Sequence, residues 1–156
     1  MPDPVLVAEA KVAVPPHFAR TWFLELQRHP ERYVFDSHEG FVFTAGEFGT
    51  PGARFQTRER FAGAVRVTLK FELVGVSRNR FTFAVLAPVR GYWGYFELVP
   101  IDAGATRLCL AVGSDARARR AVLSSSPVRG AVQAQIQREI DHVAASMMSL
   151  YASAEA

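Results

Sequence analysis

Strict alternation of apolar and polar residues from Val65 to Leu73 limits the fold of this chain more than any other feature. Every odd position there is apolar and every even position is polar or charged. Because successive side chains of a strand point to opposite faces, this period of two predicts a strand with one face on a core and the other in water. Such one-sided strands are typical of antiparallel sheets.

Further strands are predicted on both sides of this one. The segment from Phe55 to Phe61 precedes it across the short connection Ala62-Gly63, which predicts a hairpin. Other strands are predicted at 5–14, 40–47, 81–89, 92–99 and 106–112, with turn-forming residues between them. Strands in such close succession favour an antiparallel meander of about six or seven strands.

Two segments have a helical period instead. Proline at positions 15 and 16 suits the first turn of a helix, and Phe18, Trp22 and Leu26 then repeat every four residues until His29-Pro30. After Ser126-Pro127, apolar residues recur at steps of three and four, at Val132, Ile136, Ile140, Val143, Met147 and Leu150. They predict an amphipathic helix of about 25 residues. Its single apolar stripe needs an apolar partner, which the sheet supplies, so residues 1–156 are predicted to form one α+β domain.

The composition excludes several classes of protein. The chain has 156 residues, 49% of them hydrophobic, which suits one domain with a substantial core and excludes intrinsic disorder. No run approaches about 18 apolar residues, and the first residues lack the basic segment of a secretory signal. The single cysteine, Cys109, excludes an internal disulfide framework and is expected to be structural. A cytoplasmic location is expected.

The positive charge is concentrated in one segment. The formal net charge is +3, and residues 107–129 hold five arginines against one aspartate. This Arg segment has no interleaved aromatic residues, so a nucleic-acid partner is not expected. A solvated connection is favoured, with peripheral contact of Arg117, Arg119 and Arg120 with an anionic membrane as the alternative.

Four local patterns occur in an order that points to a known superfamily. A strand runs through Val14-Pro15-Pro16 into a helix with Phe18 and Trp22, and Gly52-Ala53-Arg54-Phe55 precedes the hairpin. The segment Tyr92-Trp93-Gly94-Tyr95-Phe96-Glu97-Leu98-Val99-Pro100 leads through Asp102-Ala103-Gly104 to a further strand, and the amphipathic helix comes last. In this order the chain resembles the START-like, helix-grip superfamily (SRPBCC), which includes polyketide cyclase/dehydrase, birch-pollen-allergen-like and lipid-transfer proteins.

The resemblance implies an antiparallel sheet wrapped around the long C-terminal helix, with one or two short helices after the first strand. It also implies a cavity between sheet and helix for a hydrophobic or amphipathic molecule such as a lipid, a polyketide or an isoprenoid. Because one fold serves many functions, it does not imply one activity. Some members are cyclases or dehydratases, and others only bind or carry ligands.

The inward-facing positions give a predicted cavity wall, with a solid core as the alternative. The wall is predicted to consist of Trp22, Phe55, Thr57, Glu59, Val67, Leu69, Phe83, Tyr92, Phe96, Ile136, Ile140, Val143 and Met147.

Two of these residues are weak catalytic candidates. Glu59 lies at an odd position of its strand, like Phe55 and Phe61, and therefore on the inward face. Burial there would raise its pKa and suit it to general acid or base chemistry. A charge that reaches solvent or pairs with an arginine is the favoured alternative. Tyr92 could donate a hydrogen bond to a ligand from its inward position.

No other catalytic or metal-binding pattern is predicted. Asp36-Ser37-His38-Glu39 offers closely spaced ligand types, but on a loop with no second cluster it is interpreted as a turn. The four histidines are scattered and no nucleophile motif is present, so neither a cofactor nor a metal is expected. Trp93 and Tyr95 have outward parity, which suggests a contact in a homodimer or cover by a loop.

These patterns favour binding or transport of a hydrophobic small molecule. A cyclase or dehydratase that uses the same cavity is the first alternative. An interaction protein that acts through the exposed aromatic residues or the Arg segment is the second.

Overall fold

The structure is a computed structural model that describes residues 4–61, 65–118 and 123–155. The strands are β1 (Leu6–Val12), β2 (His38–Ala45), β3 (Arg54–Phe61), β4 (Val65–Val76), β5 (Arg80–Ala87), β6 (Tyr92–Asp102) and β7 (Ala105–Ser114). The helices are α1 (Pro16–Leu24), a 3-10 helix (Pro30–Tyr33), α2 (Ala116–Ala118) and α3 (Ser126–Glu155). This order confirms the predicted α+β class, with short helices after the first strand and a long helix at the C-terminal end.

All seven described strands form one curled antiparallel sheet in the order β1-β7-β6-β5-β4-β3-β2. The strands from β2 to β7 follow one another as a meander, as the spacing of the turn residues predicted. β1 departs from that order because it pairs along β7, with Leu6 opposite Val112 and Val12 opposite Thr106. The first and the last strands are therefore neighbours, next to the helix that follows β7.

Helix α3 is anchored on β1 and β7. It has 30 residues, somewhat more than the periodicity predicted, and it buries Ile136, Ile140, Val143 and Met147. Two glutamines on its border also bind the edge strand: Gln133 donates to the Val7 carbonyl at 3.0 Å and Gln137 to the Glu9 carbonyl at 3.3 Å. Apolar burial and these hydrogen bonds together fix the position of the helix relative to the sheet.

Helix α1 begins at Pro16 as predicted but ends at Leu24, earlier than predicted. The amide of Leu26 donates to the carbonyl of Phe23, a tighter i to i−3 bond that ends the α-helical ladder. Leu26 nevertheless stays buried. The indole of Trp22 donates to Ser146 Oγ at 3.2 Å, which ties α1 to α3.

The outward aromatic residues of β6 make contacts within the chain. The rings of Trp93 and Tyr95 stack with centroids 6.3 Å apart, and the Arg80 guanidinium lies 4.0 Å from the Tyr95 centroid. Trp93 covers Gly113 so closely that a Cβ there would lie 2.1 Å from the indole. The homodimer suggested for these residues stays a prediction.

Candidate functional site

A cavity of about 210 Å³ lies between the inner face of the sheet and α3. Nearly all of its wall is apolar, and nine of its lining residues are aromatic: Tyr33, Phe41, Phe55, Phe61, Phe71, Phe83, Tyr92, Trp93 and Phe96. Aliphatic residues from β4, β5, β7 and α3 complete the wall. Since roughly 10–15 Å³ of such a cavity volume holds one water molecule, the space corresponds to about 14–21 water-sized groups. A ligand with two or three fused rings fits that size.

Three titratable side chains meet at one wall of this cavity, each from a different element. His38 begins β2, Glu59 lies on β3 and Glu139 lies on α3. The Nε2 atom of His38 is 3.1 Å from Glu139 Oε1 and 3.9 Å from Glu59 Oε2. His38 is 1%, Glu59 5% and Glu139 8% exposed, so all three groups are withdrawn from bulk water. We call these three residues the acid–base cluster.

A β-bulge directs His38 into the cluster. Phe41 pairs with Thr57, and Phe43 pairs with Phe55, so odd positions of β2 face inward. The register then shifts between His38 and Gly40, which brings His38 opposite Glu59 on the same inward face. Because a bulge inserts one extra residue, it reverses the parity of the positions before it.

A second set of polar side chains supports the carboxylate of Glu59. Thr57 Oγ1 donates to Glu59 Oε2 at 2.5 Å, and Gln135 Nε2 lies 3.4 Å from Glu59 Oε1. Arg138 Nη2 donates to Gln135 Oε1 at 3.0 Å. That bond turns the Gln135 amide so that its NH₂ group faces Glu59 and the Ser37 carbonyl. The orientation of Glu59 is thus held from both β3 and α3.

Burial governs how protons are held in the acid–base cluster. Desolvation, together with the charge of Glu139, raises the pKa of Glu59 from 4.5 to about 7 against the opposing effects of His38, Thr57 and Gln135. Burial alone would lower the pKa of His38, but its hydrogen bond to Glu139 and the charges of Glu139 and Glu59 outweigh burial and raise it. The cluster therefore holds protons that exposed carboxylates would release near neutral pH.

Two further atoms show how tightly the ring of His38 is enclosed. The Tyr33 backbone carbonyl faces the ring and also raises its pKa, yet Nδ1 makes no hydrogen bond of ordinary geometry within the described residues. The phenol of Tyr33 is itself buried, and burial together with Glu139 and Glu59 raises its pKa well above 10. Tyr33 therefore stays protonated. His38 is the residue in contact with the two carboxylates that can carry a positive charge.

The chemistry of the acid–base cluster also suits a divalent cation, since its three donor atoms lie within 4.8 Å of one another. The contacts themselves are those of a hydrogen-bond network. Glu59 Oε2 already accepts from Thr57, and His38 Nε2 and Glu139 Oε1 are at direct hydrogen-bonding distance. Shared protons account for this arrangement, so we interpret the cluster as a proton-sharing site.

The structure places eight of the predicted wall residues on the cavity: Phe55, Thr57, Glu59, Leu69, Phe83, Tyr92, Phe96 and Ile136. Five others do not line it. Trp22, Ile140, Val143 and Met147 are packed in the solid core between α1, α3 and the sheet, and Val67 is half-buried near the start of β4. The core residues have the right parity, but α3 lies close to β1 and β7 at that end and leaves no space.

The two weak catalytic candidates have different surroundings. Glu59 faces the cavity and pairs with no arginine of the described residues, contrary to the favoured alternative. The hydroxyl of Tyr92 donates to the Ala118 carbonyl at 2.7 Å, so it fastens α2 at the cavity wall. Burial raises the pKa of Tyr92, which keeps the phenol protonated for that bond.

Sequence reasoning missed His38, Gln135 and Glu139. The sequence pattern places His38 in a turn, and the apolar stripe of α3 does not include the polar residues 135 and 139. A usable signal was present: positions 135 and 139 are one helical turn apart and adjoin the stripe residues 136 and 140. Two polar side chains at that spacing lie on one face of the helix, next to the stripe that packs on the sheet.

The Arg segment is described only in part. Arg117 is exposed in α2, and Arg119 and Arg120 lie outside the described residues. Contact with a membrane surface stays a prediction. Among the described residues, no helix is long and apolar enough to span a membrane. Cys109 is buried on β7, and burial raises the pKa of its thiol, in agreement with a structural role.

Comparisons with solved structures identify the architecture. The protein TTHA0849 from Thermus thermophilus superposes with a TM-score of 0.71 at 16% identity, over 93% of this chain and 97% of that one. The chain has the helix-grip fold. This confirms the superfamily resemblance at the level of fold.

Two other helix-grip structures are similar. The di-domain ARO/CYC protein BexL from the BE-7585A biosynthetic pathway matches with a TM-score of 0.65 at 10% identity, over 91% of this chain and 49% of that one. Major latex-like protein 151 from Panax ginseng matches with a TM-score of 0.62 at 11% identity, over 92% and 94% of the two chains. No family model and no curated protein matches the sequence.

Proposed function

We propose that this protein binds a hydrophobic or amphipathic small molecule in the cavity between the sheet and α3. The observation that supports this proposal most strongly is the cavity of about 210 Å³. Its wall is almost entirely apolar, while its polar groups are gathered in one cluster. Apolar pockets with a few convergent polar groups are typical of small-molecule sites. A polycyclic polyketide, an isoprenoid or a lipid chain has the required character.

The arrangement of the wall supports a ligand with a defined orientation. Aromatic rings of β3, β4 and β5 pack edge to face or in parallel, as Phe55, Phe71 and Phe83 do with centroids 5.0–6.3 Å apart. Such rings supply large apolar contact area at low entropic cost. The acid–base cluster then fixes the polar end of the ligand. The likeness to BexL, which belongs to a biosynthetic pathway, is consistent with a ligand of natural-product type.

A cavity-filling substitution tests the proposal. Val112 lies on the inner face of β7 and lines the cavity, so Val112→Phe should occupy part of it. Saturable binding of the neutral two-ring dye Prodan, followed by fluorescence, should weaken at least about tenfold, since the extra ring takes the space of the ligand. The matched control is Val74→Phe, the same change at an exposed position of β4, which should bind like the wild type.

The contrary results are equally defined. If Prodan does not bind the wild type, or if Val112→Phe and Val74→Phe bind it equally, the cavity is not the binding site. Mass spectrometry of protein purified from its own host provides the second readout. A hydrophobic compound should co-purify with the wild type and Val74→Phe, and it should be lost from Val112→Phe.

A second function, acid–base catalysis of the cyclase or dehydratase kind, is favoured by one observation. Glu59 faces an apolar cavity with its pKa raised to about 7, where a carboxyl group can both donate and accept a proton. For a ligand converted by the protein, Glu59→Gln should abolish conversion while the variant still binds the ligand saturably. A ligand that binds and leaves unchanged contradicts this second function and leaves the first intact.

A further inference from the structure

Acidic side chains outnumber basic ones on the cavity wall. Glu59, Glu139 and His38 line it, and among the described residues no lysine or arginine does. The guanidinium that comes near, that of Arg138, is separated from Glu59 by the side chain of Gln135. His38 is therefore the only cationic partner within contact of the two carboxylates in the described part of the chain.

The rest of the wall also suits a positive charge. The faces of aromatic rings carry negative electrostatic potential, so a cation close to a ring is stabilised, more strongly where water is excluded. Tyr33 and Phe41 lie beside the acid–base cluster, with ring centroids 4.7 Å and 6.2 Å from that of His38. A cation bound beside the two carboxylates would thus also lie near aromatic rings.

We infer that the ligand of this cavity is a hydrophobic amine, which enters as an ammonium ion and places its nitrogen against Glu59 and Glu139. The inference rests on the proposed function and narrows it to one chemical class. The ammonium group would replace the proton that Glu59 holds in the empty cavity, and the apolar body of the ligand would lie against the aromatic wall. A charge-assisted hydrogen bond in such a site is stronger than a neutral one.

The same wall disfavours an anionic ligand. A carboxylate or sulfonate would meet two acidic side chains, and the one basic side chain of the cluster, His38, already binds Glu139. Burial of an unpaired anion is costly. A neutral alcohol can exchange hydrogen bonds with the cluster but gains no charge interaction. The order of affinity should therefore be amine, alcohol, carboxylate.

Three compounds with one ring system test this order. The probes are 2-naphthylmethylamine, 2-naphthylmethanol and 2-naphthoate, titrated into the full chain near pH 7 by isothermal calorimetry. The amine should bind at least about tenfold more tightly than the alcohol, and the naphthoate more weakly than either. Removal of one carboxylate, in Glu59→Gln or in Glu139→Gln, should reduce the advantage of the amine to about threefold or less.

A matched control separates this effect from a loss of general negative charge. Glu72 is paired with Arg54 on the outer face of the sheet, so Glu72→Gln should keep the full preference for the amine. Two results overturn the inference while they leave the proposed function standing: the alcohol binds the wild type as tightly as the amine, or both cavity variants keep the preference. If neither Prodan nor any of the three naphthyl probes binds the wild type, the proposed function fails as well.

Discussion

The imidazole of His38 lies 3.1 Å from the carboxylate of Glu139, which joins the first residue of β2 to the middle of α3. Glu59 lies opposite His38 across the strand pair. Through these contacts the sheet and the helix share protons at one wall of an otherwise apolar cavity.

Substitution of Glu139 should change the titration of both partners. In Glu139→Gln, His38 loses its carboxylate partner, so the pKa of His38 should fall. The pKa of Glu59 should fall as well, because the repulsion from Glu139 is removed. NMR titration of the His38 ring and of the ¹³C-labelled Glu59 carboxyl measures both. Unchanged pKa values in this variant would contradict the described contacts, and Glu72→Gln serves as the control.

Stability should decrease as pH rises through the neutral range. The pKa of Glu59 is about 7 in the folded protein against an ordinary value of 4.5, so the folded state holds a proton that the unfolded state releases. The stabilisation is fully present below about pH 4.5 and is lost by about pH 7, a change of roughly 3 kcal/mol. The raised pKa of His38 acts in the same direction, since its contribution is lost as pH passes that value.

Urea denaturation between about pH 5 and pH 8 checks this dependence. The Glu59→Gln variant lacks the carboxyl, so its free energy of unfolding should change less over that range than that of the wild type. A wild type that gains stability from pH 5 to pH 8 by this amount would have the opposite sign and would exclude the raised pKa of Glu59.

Two leucines of β4 distinguish the cavity from the solid core. Leu73 is fully buried in the core, whereas Leu69 is half-buried and lines the cavity. Leu73→Ala should lower the free energy of unfolding by about 2–5 kcal/mol, and Leu69→Ala by clearly less, because its side chain already adjoins empty space. Chemical denaturation of the two variants measures the difference. Equal losses would indicate that the cavity is filled by packed side chains.

The contact of Trp93 with Gly113 should be sensitive to a single methyl group. A Cβ at Gly113 would lie 2.1 Å from the indole, so Gly113→Ala must displace Trp93 and should cost about 1–3 kcal/mol. Trp93→Ala removes the obstacle, so the double variant should be more stable than the sum of the two single effects predicts. Thermal denaturation of the wild type, the two single variants and the double variant measures this coupling. Strict additivity of the two effects would show that the indole lies elsewhere.

Much of the architecture could be predicted because it depends on local periodicity. Alternation from Val65 to Leu73 defined a one-sided strand, and the stripe from Val132 to Leu150 defined the helix that covers the sheet. Parity also placed Glu59 on the inner face correctly. These periods predict an α+β domain, and the order of the four local patterns adds the resemblance to the helix-grip superfamily.

The acid–base cluster could not be predicted in the same way. His38 faces inward only because a bulge before Gly40 reverses the parity of β2, and alternation alone would turn it outward. Glu139 contacts His38 only because α3 passes next to the first residue of β2. Likewise, parity could not tell that Ile140 and Met147 lie in a solid core while Ile136 adjoins the cavity. Each of these facts depends on the distance between two elements remote in sequence.

A crystal structure of the full chain soaked with 2-naphthylmethylamine tests the central claim most directly. We predict that the naphthyl ring lies in the cavity among Phe55, Phe83 and Phe96, with the amine nitrogen within hydrogen-bonding distance of Glu59 or Glu139. Density for the compound on the outer face beside Tyr95 and Arg80, with the cavity unoccupied, would contradict the claim.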